Sequence, residues 1–476
     1  MGTLSFESVR EAQREWAAMP LAARLGVVAG VRRRMAEGAR ELAEMVPTEL
    51  AGALRRTVAD TLGAEVLPVL AACRFLERES AWILRARVLG LDGRPVWLGR
   101  VGGTVERAPW GVVLVIAAGN YPLLLAGVQT MQALVAGNAV MWKPAPGTEA
   151  VAYAVKTLLV EAGLPAELLT VLESSAEAGS EAIAAGVDFV ALTGSAGTGT
   201  AVLHQLAEKL TPAVMELSGC DAVFVLPGAD LGRLMEALGF GLRFNGSYTC
   251  MAPRRVFLVG YSAAEAQGFE ARLADALRGI EPVALPERTR ALVTELVEDA
   301  RALGGEIVLD GRAGAVTMIA GACPAMKAMG ADVFAPVVSV MRAADEAEAL
   351  QANEGCRYAL SATVFGPEDA AKRLAAKLRV GNVLINDAIV PTADPRVPFG
   401  GRGRSGYGVT RGAEGLLAMT TPKTTQVRRG WMKQAYEPTG AGHVELFAGL
   451  AALLYGGWQV KWDGLRRLIG AGLKLK

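Results

Sequence analysis

Residues 111–144 read GVVLVIAAGNYPLLLAGVQTMQALVAGNAVMWKP. The first part, GVVLVIAA, and the last, NAVMWKP, are short apolar runs without polar alternation, and the span between them, PLLLAGVQTMQALVAG, has helical length. A strand that is apolar on both faces must be covered on both faces. Two such strands joined by a helix form the unit of a parallel sheet. This one stretch therefore predicts an α/β protein.

The pattern continues in both directions. Downstream come a helix (EAVAYAVKTLLVEAG), a strand (LLTVL), a helix (AGSEAIAAG) and a strand (FVALTG). A second alternating series begins near Asp221 with AVFVL, RRVFLVG, EIVLDG, VVSVM, SATVFG and NVLIND. Upstream, residues 5–85 place apolar residues at three- and four-residue intervals in EAQREWAAM, RLGVVAGVRRRMAEGARELAEMV and TLGAEVLPVLAACRFLERES, which predicts helices. In residues 86–107 short alternating runs flank Asp92-Gly93, a hairpin-turn signal. The expected fold is α/β, with two doubly wound parallel-sheet domains and a small β-hairpin element.

Composition narrows the function. A chain of 476 residues has room for two to three domains at about 150 residues each. With 49 Lys+Arg against 48 Asp+Glu it lacks the basic excess of a nucleic-acid binder. Its start, MGTLSFESVREAQREWAAMP, has no apolar run of the secretory kind. That start meets a myristoylation pattern only at Gly2, with Phe6 where Ser or Thr belongs. The five cysteines (Cys73, Cys220, Cys250, Cys323, Cys356) are odd in number and form no C-x-x-C pair, so neither a disulfide framework nor a zinc site is expected. With only His204 and His443 available as histidines, no metal is expected. A reducing cytoplasm fits this cysteine usage.

In open parallel sheets functional groups sit just past the carboxyl ends of strands. Asn120 follows VVLVIAAG, Lys143 follows AVMW, Thr193-Gly194-Ser195 follows FVAL, and Glu216 follows PAVM. Polar residues occur wherever strands end, so none of these is informative alone. Cys250, in NGSYTCMAPRRV (245–256), has polar neighbours, unlike the core run that would hold a buried filler cysteine.

Taken together, the set and its spacing resemble the NAD(P)-dependent aldehyde dehydrogenase superfamily over about residues 5–428. APWGVVLVIAAGNYPL is similar to the family's Asn-aromatic-Pro segment, WKPAP to its coenzyme-binding Lys-Pro segment, and LTGSAGTG to the Thr-Gly-Ser turn under the dinucleotide. MELSG resembles the glutamate signature and NGSYTCMAPRRV the cysteine signature. Asn120 to Lys143 (23 residues) and Glu216 to Cys250 (34) are the family's usual intervals. DVFAPV, ANEGCRYAL, GNVLIND and PFGGRGRSGYG continue the likeness in order.

The resemblance implies catalytic roles for Cys250, Glu216 and Asn120. A thiolate must first add to an aldehyde, because the aldehyde as it stands does not readily give up its hydrogen with two electrons; a thioester follows. The amide of Asn120 and the backbone N–H of Cys250 would hold the oxyanion, and Glu216 would activate the hydrolytic water, helped by a raised pKa. Trp142, Lys143, Thr193, Gly194, Ser195, Gly199, Asp332 and Phe334 would bind the cofactor, NAD or NADP. No G-x-G-x-x-G fingerprint precedes a helix in the first domain. The implied domains are 1–85 with 108–218 (dinucleotide-binding), 86–107 with 410–428 (oligomerisation), 219–409 (catalytic) and a 429–476 amphipathic tail. A homodimer or homotetramer and a small-molecule aldehyde substrate follow from the same likeness.

Some residues depart from the family's pattern. Pro146 stands where NAD-preferring relatives carry an acid, which makes NADP admissible. The family's E-x-F-G-P reads DVFAP, with Asp332 one methylene shorter and Ala335 for glycine. The stretch from Cys250 to Asp332 is short, and Ser247 and Tyr248 are unusual. An acyl-CoA or acyl-phosphate reductase on the same fold is the competing enzyme; Glu216 argues against it. A retired scaffold is the non-enzyme reading, opposed by retention of all four of Asn120, Lys143, Glu216 and Cys250.

The tail is a separate problem. Leu446–Trp458 is an apolar run of 13 residues. As a helix it reaches about 20 Å, short of the hydrocarbon core of a bilayer. Lys461, Arg466, Arg467, Lys474 and Lys476 follow among Trp and Leu, the pattern of an interfacial helix. Packing on its own or a neighbouring subunit, membrane-surface contact, or a lid over the substrate mouth with a long apolar aldehyde as substrate are the expectations.

Overall fold

The computed structural model describes residues 6–48, 56–90, 92–429, 436 and 438–474. Gly2, on which the lipidation pattern turned, lies outside them. The chain divides into two compact units, one of residues 1–86 with 106–423 and one of 87–105 with 424–476.

The first unit contains two sheets. In the six-stranded sheet the order is Gly406–Tyr407, Ala213–Leu217, Phe189–Gly194, Val112–Ile116, Ala139–Lys143, Leu169–Val171. From Val112–Ile116 the chain winds one way through Ala139–Lys143 and Leu169–Val171, then returns to add Phe189–Gly194 and Ala213–Leu217 on the other side. All these pairings are parallel; Gly406–Tyr407 is the antiparallel addition. Strand order therefore reverses between Val112–Ile116 and Phe189–Gly194, which is where a crevice opens beyond the carboxyl ends.

The opening stretch behaves as its composition dictates. Val112–Ile116 is buried at every residue, and so is the following helix Leu124–Ala136. A helix without a polar face must be covered all round. It is, by the sheet and by the helices before residue 86. The helix stops because Gly137 takes the left-handed conformation at φ 101°.

The seven-stranded sheet has the order Glu306–Leu309, Thr317–Ala320, Val337–Ala343, Pro253–Val259, Asp221–Val225, Ser361–Phe365, Asn382–Ile385. Its pairings are parallel except at the Glu306–Leu309 edge, which runs antiparallel to Thr317–Ala320. The sequence pattern predicts EIVLDG in a parallel series and gives no strand at TMIA. Only the short segment 310–316 joins the two, too few residues for a crossover helix, so an antiparallel pair is forced.

Other departures have local causes. The long helical run of residues 24–46 divides at Gly38 into Leu21–Glu37 and Ala39–Met45. The next widens into a π-turn at Leu62–Val66 before Leu67–Ile83. Pro68 has no N–H to continue the ordinary ladder there.

A three-stranded sheet is built from Arg87–Leu89, Val101–Pro109 and Thr420–Arg428, the first two antiparallel; residues 87–105 and 424–428 fall in the second unit. Asp92-Gly93 forms a turn between the two antiparallel strands, as its dipeptide signal predicts. The connection is longer and includes a 3-10 turn at Val96–Leu98, held where Arg94 donates to the Val101 carbonyl at 3.0 Å. The helices Ala441–Tyr455 and Trp458–Lys474 pack against each other in this unit.

Candidate active site

Three residues, Ser218–Cys220, separate the carboxyl end of Ala213–Leu217 from the amino end of Asp221–Val225. So short a link makes the carboxyl edge of the first sheet face the amino edge of the second. Groups from the first sheet thus arrive past strand ends, whereas Cys250 arrives just before its strand, Pro253–Val259. Gly219 is required in the link. A Cβ there would stand 2.6 Å from the Cys250 carbonyl oxygen and 2.7 Å from an Asp221 carboxylate oxygen.

The loop carrying Cys250 is held in an uncommon backbone. Asn245, Gly246 and Ser247 all have φ near +60°, at 55°, 61° and 61°, a region that side chains with a Cβ avoid. Buried Arg254 fixes it, donating to Ser247 Oγ at 2.8 Å and to the Ser247 carbonyl at 2.7 Å. Desolvation lowers the Arg254 guanidinium to about 10. The Asn245 side-chain amide donates to the carbonyls of Asn120 and Tyr248, both at 3.2 Å. Tyr248 lies 4.8 Å from the Phe334 ring, tilted by 58°, and Thr249 shares a 2.8 Å hydrogen bond with the Tyr121 hydroxyl.

Asn120 is fixed from the other side. The Arg56 guanidinium donates to its carbonyl at 3.1 Å and pairs with Glu65, both side chains being fully buried. The second carboxylate oxygen of Glu65 accepts the N–H groups of Leu123 and Leu124 at 2.7 and 2.9 Å. These are the first donors of the buried helix, which have no partner within it. The Arg56–Glu65 pair therefore ties the helix start to the position of Asn120.

Glu216 is pinned by its backbone between Thr193 on one strand and Gly406 on the other. The late segment RSGYGVTR thereby reaches the glutamate, and brings Thr410 and Arg411 with it. Thr410 donates to a Glu216 carboxylate oxygen at 3.4 Å. Arg411 has φ 61°, donates to the Thr392 carbonyl at 2.6 Å, and lies over the Phe399 ring at 4.7 Å.

Cys250 and Glu216 line two cavities. One, of about 320 Å³, is walled largely by apolar side chains, among them Leu124, Phe240, Phe244, Met251, Ile389 and Phe399, with Arg411 as its cation. The other, of about 740 Å³, is a polar cleft reached by Asn120, Lys143, Thr193, Ser195, Asp332 and Phe334. Three buried acceptor atoms on residues of this cleft, Asn120 Oδ1, Glu216 Oε1 and Asp332 Oδ1, have no partner. Buried acceptors call for donors, and ribose hydroxyls are suitable ones. Ser195 caps the helix Ala196–Ala207, its Oγ accepting from Thr198 N at 3.1 Å, so the helix start at the cleft suits a phosphate. The residues present fit a dinucleotide.

Burial raises the acids of this site, Glu216 and Cys250, above their ordinary values. For Cys250 the neighbouring negative charges of Glu216 and Asp221 add to the shift; Arg411 opposes it in both groups. Both shifts favour the protonated forms. Lys143, half-buried, is lowered by desolvation against the pull of Glu149 and Glu177.

Residues 5–425 match the model of the aldehyde dehydrogenase family. The chain belongs to the aldehyde dehydrogenase family. It is 30% identical over 463 residues to a 4,4'-diapolycopene aldehyde oxidase of Methylomonas sp, covering 94% of this chain and 86% of that one. A match stopping at residue 425 could not reach that share, so this one continues into the C-terminal segment. Among solved structures, the chain is similar to the NADP-dependent glyceraldehyde-3-phosphate dehydrogenase of Bacillus halodurans C-125 complexed with NADP, at TM-score 0.79 and 26% identity, over 90% of this chain and 92% of that one. An NAD+ complex of a Mycobacterium tuberculosis aldehyde dehydrogenase shares the fold at TM-score 0.79 and 22% identity, with 90% of each chain covered.

In this aldehyde dehydrogenase most of the residues named from sequence come together: Cys250, Glu216, Asn120, Lys143, Thr193, Gly194, Ser195, Asp332 and Phe334 all line the polar cleft. Trp142 and Gly199 do not. The Trp142 side chain is buried in the core beneath the sheet, 1% exposed, because alternation along Ala139–Lys143 turns it away from its neighbour Lys143. Gly199 is a packing residue, since a Cβ there would stand 2.9 Å from the Leu217 side chain. Sequence reasoning missed Arg411, Thr410, Arg254 and the Arg56–Glu65 pair. Arg254 could have been noticed as a charge inside an apolar strand run. Arg411 gave no such signal, its place being set by strand pairing.

Proposed function

We propose that this aldehyde dehydrogenase oxidises an apolar, long-chain aldehyde to the free carboxylic acid through a thiohemiacetal and a thioester on Cys250, with NAD or NADP as acceptor. The observation that carries the reading is that Cys250 and Glu216 border both an apolar cavity and a polar, dinucleotide-sized cleft. The apolar walls give a hydrocarbon chain burial at roughly 0.8 kcal/mol per methylene. The similarity to a 4,4'-diapolycopene aldehyde oxidase, whose name denotes an aldehyde on a hydrocarbon chain, supports the same class.

Cys250 gives up its proton to water in the cleft, and the thiolate adds to the carbonyl carbon. The Asn120 amide and the Cys250 backbone N–H hold the resulting oxyanion. A bound nicotinamide supplies the two-electron acceptor that turns this adduct into the thioester. Glu216 then draws a proton from water as the water attacks the acyl carbon, and Cys250 leaves as thiolate. Arg411 favours the charged forms of both groups throughout. Pro146, in place of an acid, puts no charge repulsion on a 2′-phosphate, so both coenzymes are admitted.

The hairpin of the second unit leaves Val88 on its strand and Trp97 on its connecting turn exposed, which supports its part in a homodimer or homotetramer. Cysteine usage supports a reducing, cytoplasmic setting. The test is NAD(P)H absorbance on a panel of aldehydes graded by chain length, run with both coenzymes and with Cys250→Ala as control. Rising kcat/KM with chain length supports the reading. A preference for short carboxylated aldehydes, with Arg411 as their partner, would replace the substrate class, and no turnover of any aldehyde would end the reading.

A further inference from the structure

The two C-terminal helices, Ala441–Tyr455 and Trp458–Lys474, form a hairpin closed through small residues, with Leu446, Leu450, Leu453, Leu454 and Leu468 half-buried along it. Its fully buried positions among the described side chains are Gly449, Gly464 and Ala471. A Cβ on Gly464 would stand 2.6 Å from the Leu453 backbone nitrogen, and one on Gly449 2.9 Å from the Gly464 carbonyl oxygen. The helices therefore meet backbone to backbone through small residues. The large aromatic side chains point outward instead: Phe447 is 55% exposed, Tyr455 72%, Trp458 79% and Trp462 63%. Small residues inside and large apolar ones outside is how helices pack when the solvent is lipid.

On the second helix the outward residues are ordered. Trp458, Trp462, Leu465 and Ile469 are separated by four, three and four residues, which places them on one stripe. At 100° per residue Lys461 falls on one side of that stripe and Arg466 on the other. Arg467 is paired with Asp463 and Glu445. Lys461 and Arg466 form no ion pair among the described residues. Residues 431–476 carry six Lys+Arg against three Asp+Glu, in a chain whose net charge is +1. Among the described residues no helix is long and apolar enough to cross a membrane.

We propose that this hairpin docks the enzyme on the surface of a bilayer containing anionic lipid, the Trp458–Ile469 stripe lying in the interface and Lys461 and Arg466 meeting headgroup phosphates. Tryptophan suits that boundary, and an apolar stripe rimmed by cations fits an anionic lipid surface. A second copy of the chain is the poorer occupant, because a self-complementary contact would bring like charges to both rims. The proposal does not depend on which aldehyde is oxidised, since docking is measured without substrate.

The test is co-sedimentation of the full chain with phosphatidylcholine vesicles, with and without phosphatidylglycerol, at low and high salt. The parent protein is expected to bind anionic vesicles and to release as salt screens the contact. Trp458→Ala with Trp462→Ala should weaken binding at least about tenfold, and Lys461→Glu with Arg466→Glu should remove the preference for anionic lipid. Oxidation of a short, water-soluble aldehyde should be unchanged in both variants, which checks that they fold. Failure of the parent to sediment with anionic vesicles overturns the proposal, as does equal binding by the variants. If the tryptophan variants instead lower the mass of the particle in solution and the parent binds no vesicles, the stripe is a subunit contact and the proposal falls.

Discussion

The two cavities that meet at Cys250 differ in nearly every property except the residues they share. One is small and walled largely by apolar side chains, with Arg411 as its cation. The other is more than twice as large, and its residues present buried acceptors without partners. The contrast teaches that binding and reaction are divided in space. On the proposed reading, chain length is sensed on one side, the acceptor is held on the other, and the groups that change covalent state or protonation stand at the junction. Substitutions at the junction should therefore stop turnover for every aldehyde. Substitutions in the apolar wall should discriminate among aldehydes.

The largest effect belongs to the sulfur. Cys250→Ser should lower oxidation of all aldehydes by about a thousandfold or more, measured as NAD(P)H formation, because a hydroxyl of far higher pKa replaces the thiol. Glu216→Gln should split the reaction in time: a burst of one NAD(P)H per site, then a steady rate lower by roughly 10²–10⁴. A burst-free loss would place Glu216 in the first half-reaction and contradict this assignment. Asn120→Ala should cost about 10²–10³ in kcat, the usual loss of an oxyanion donor, with little change in KM.

Arg411→Met probes the electrostatics of the junction. Burial raises Glu216 and Cys250 and the arginine opposes both shifts, so its removal must raise both further. At neutral pH less carboxylate and less thiolate would be present. The rising limb of kcat/KM against pH should move to higher pH, with activity at pH 7 reduced about tenfold. A profile moving toward acid would refute the assigned role.

The smallest effect should come from the apolar wall, where Phe240 and Phe244 stack at 4.8 Å. Phe244→Ala should reduce kcat/KM for long aldehydes by about five- to twentyfold and leave short ones nearly unchanged. Equal loss for both would mean that this cavity does not hold the chain.

Much of this could be read before the structure, and the reason lies in which interactions are local. Val112–Ile116 and Leu124–Ala136 carry their burial in their own composition, and residues past strand ends are countable from the strands. The residues that were missed act over long separations. Arg411 reaches Glu216 only because Gly406–Tyr407 pairs with Met215 and Glu216, and Arg56 reaches Asn120 only when the first helices pack under the sheet. The Trp142 side chain does not line the cleft because a motif names a segment, while strand alternation decides which of its side chains faces the ligand. The edge strand Glu306–Leu309 was misoriented because direction depends on connection length, which periodicity does not report.

The division of labour at the junction can be tested most directly by trapping its intermediate. Glu216→Gln enzyme incubated with NAD(P)+ and a long-chain aldehyde, then digested for mass spectrometry, should carry one acyl group per chain, on the peptide containing Cys250. An unmodified Cys250 after an NAD(P)H burst, or acylation of a different cysteine, would contradict the account.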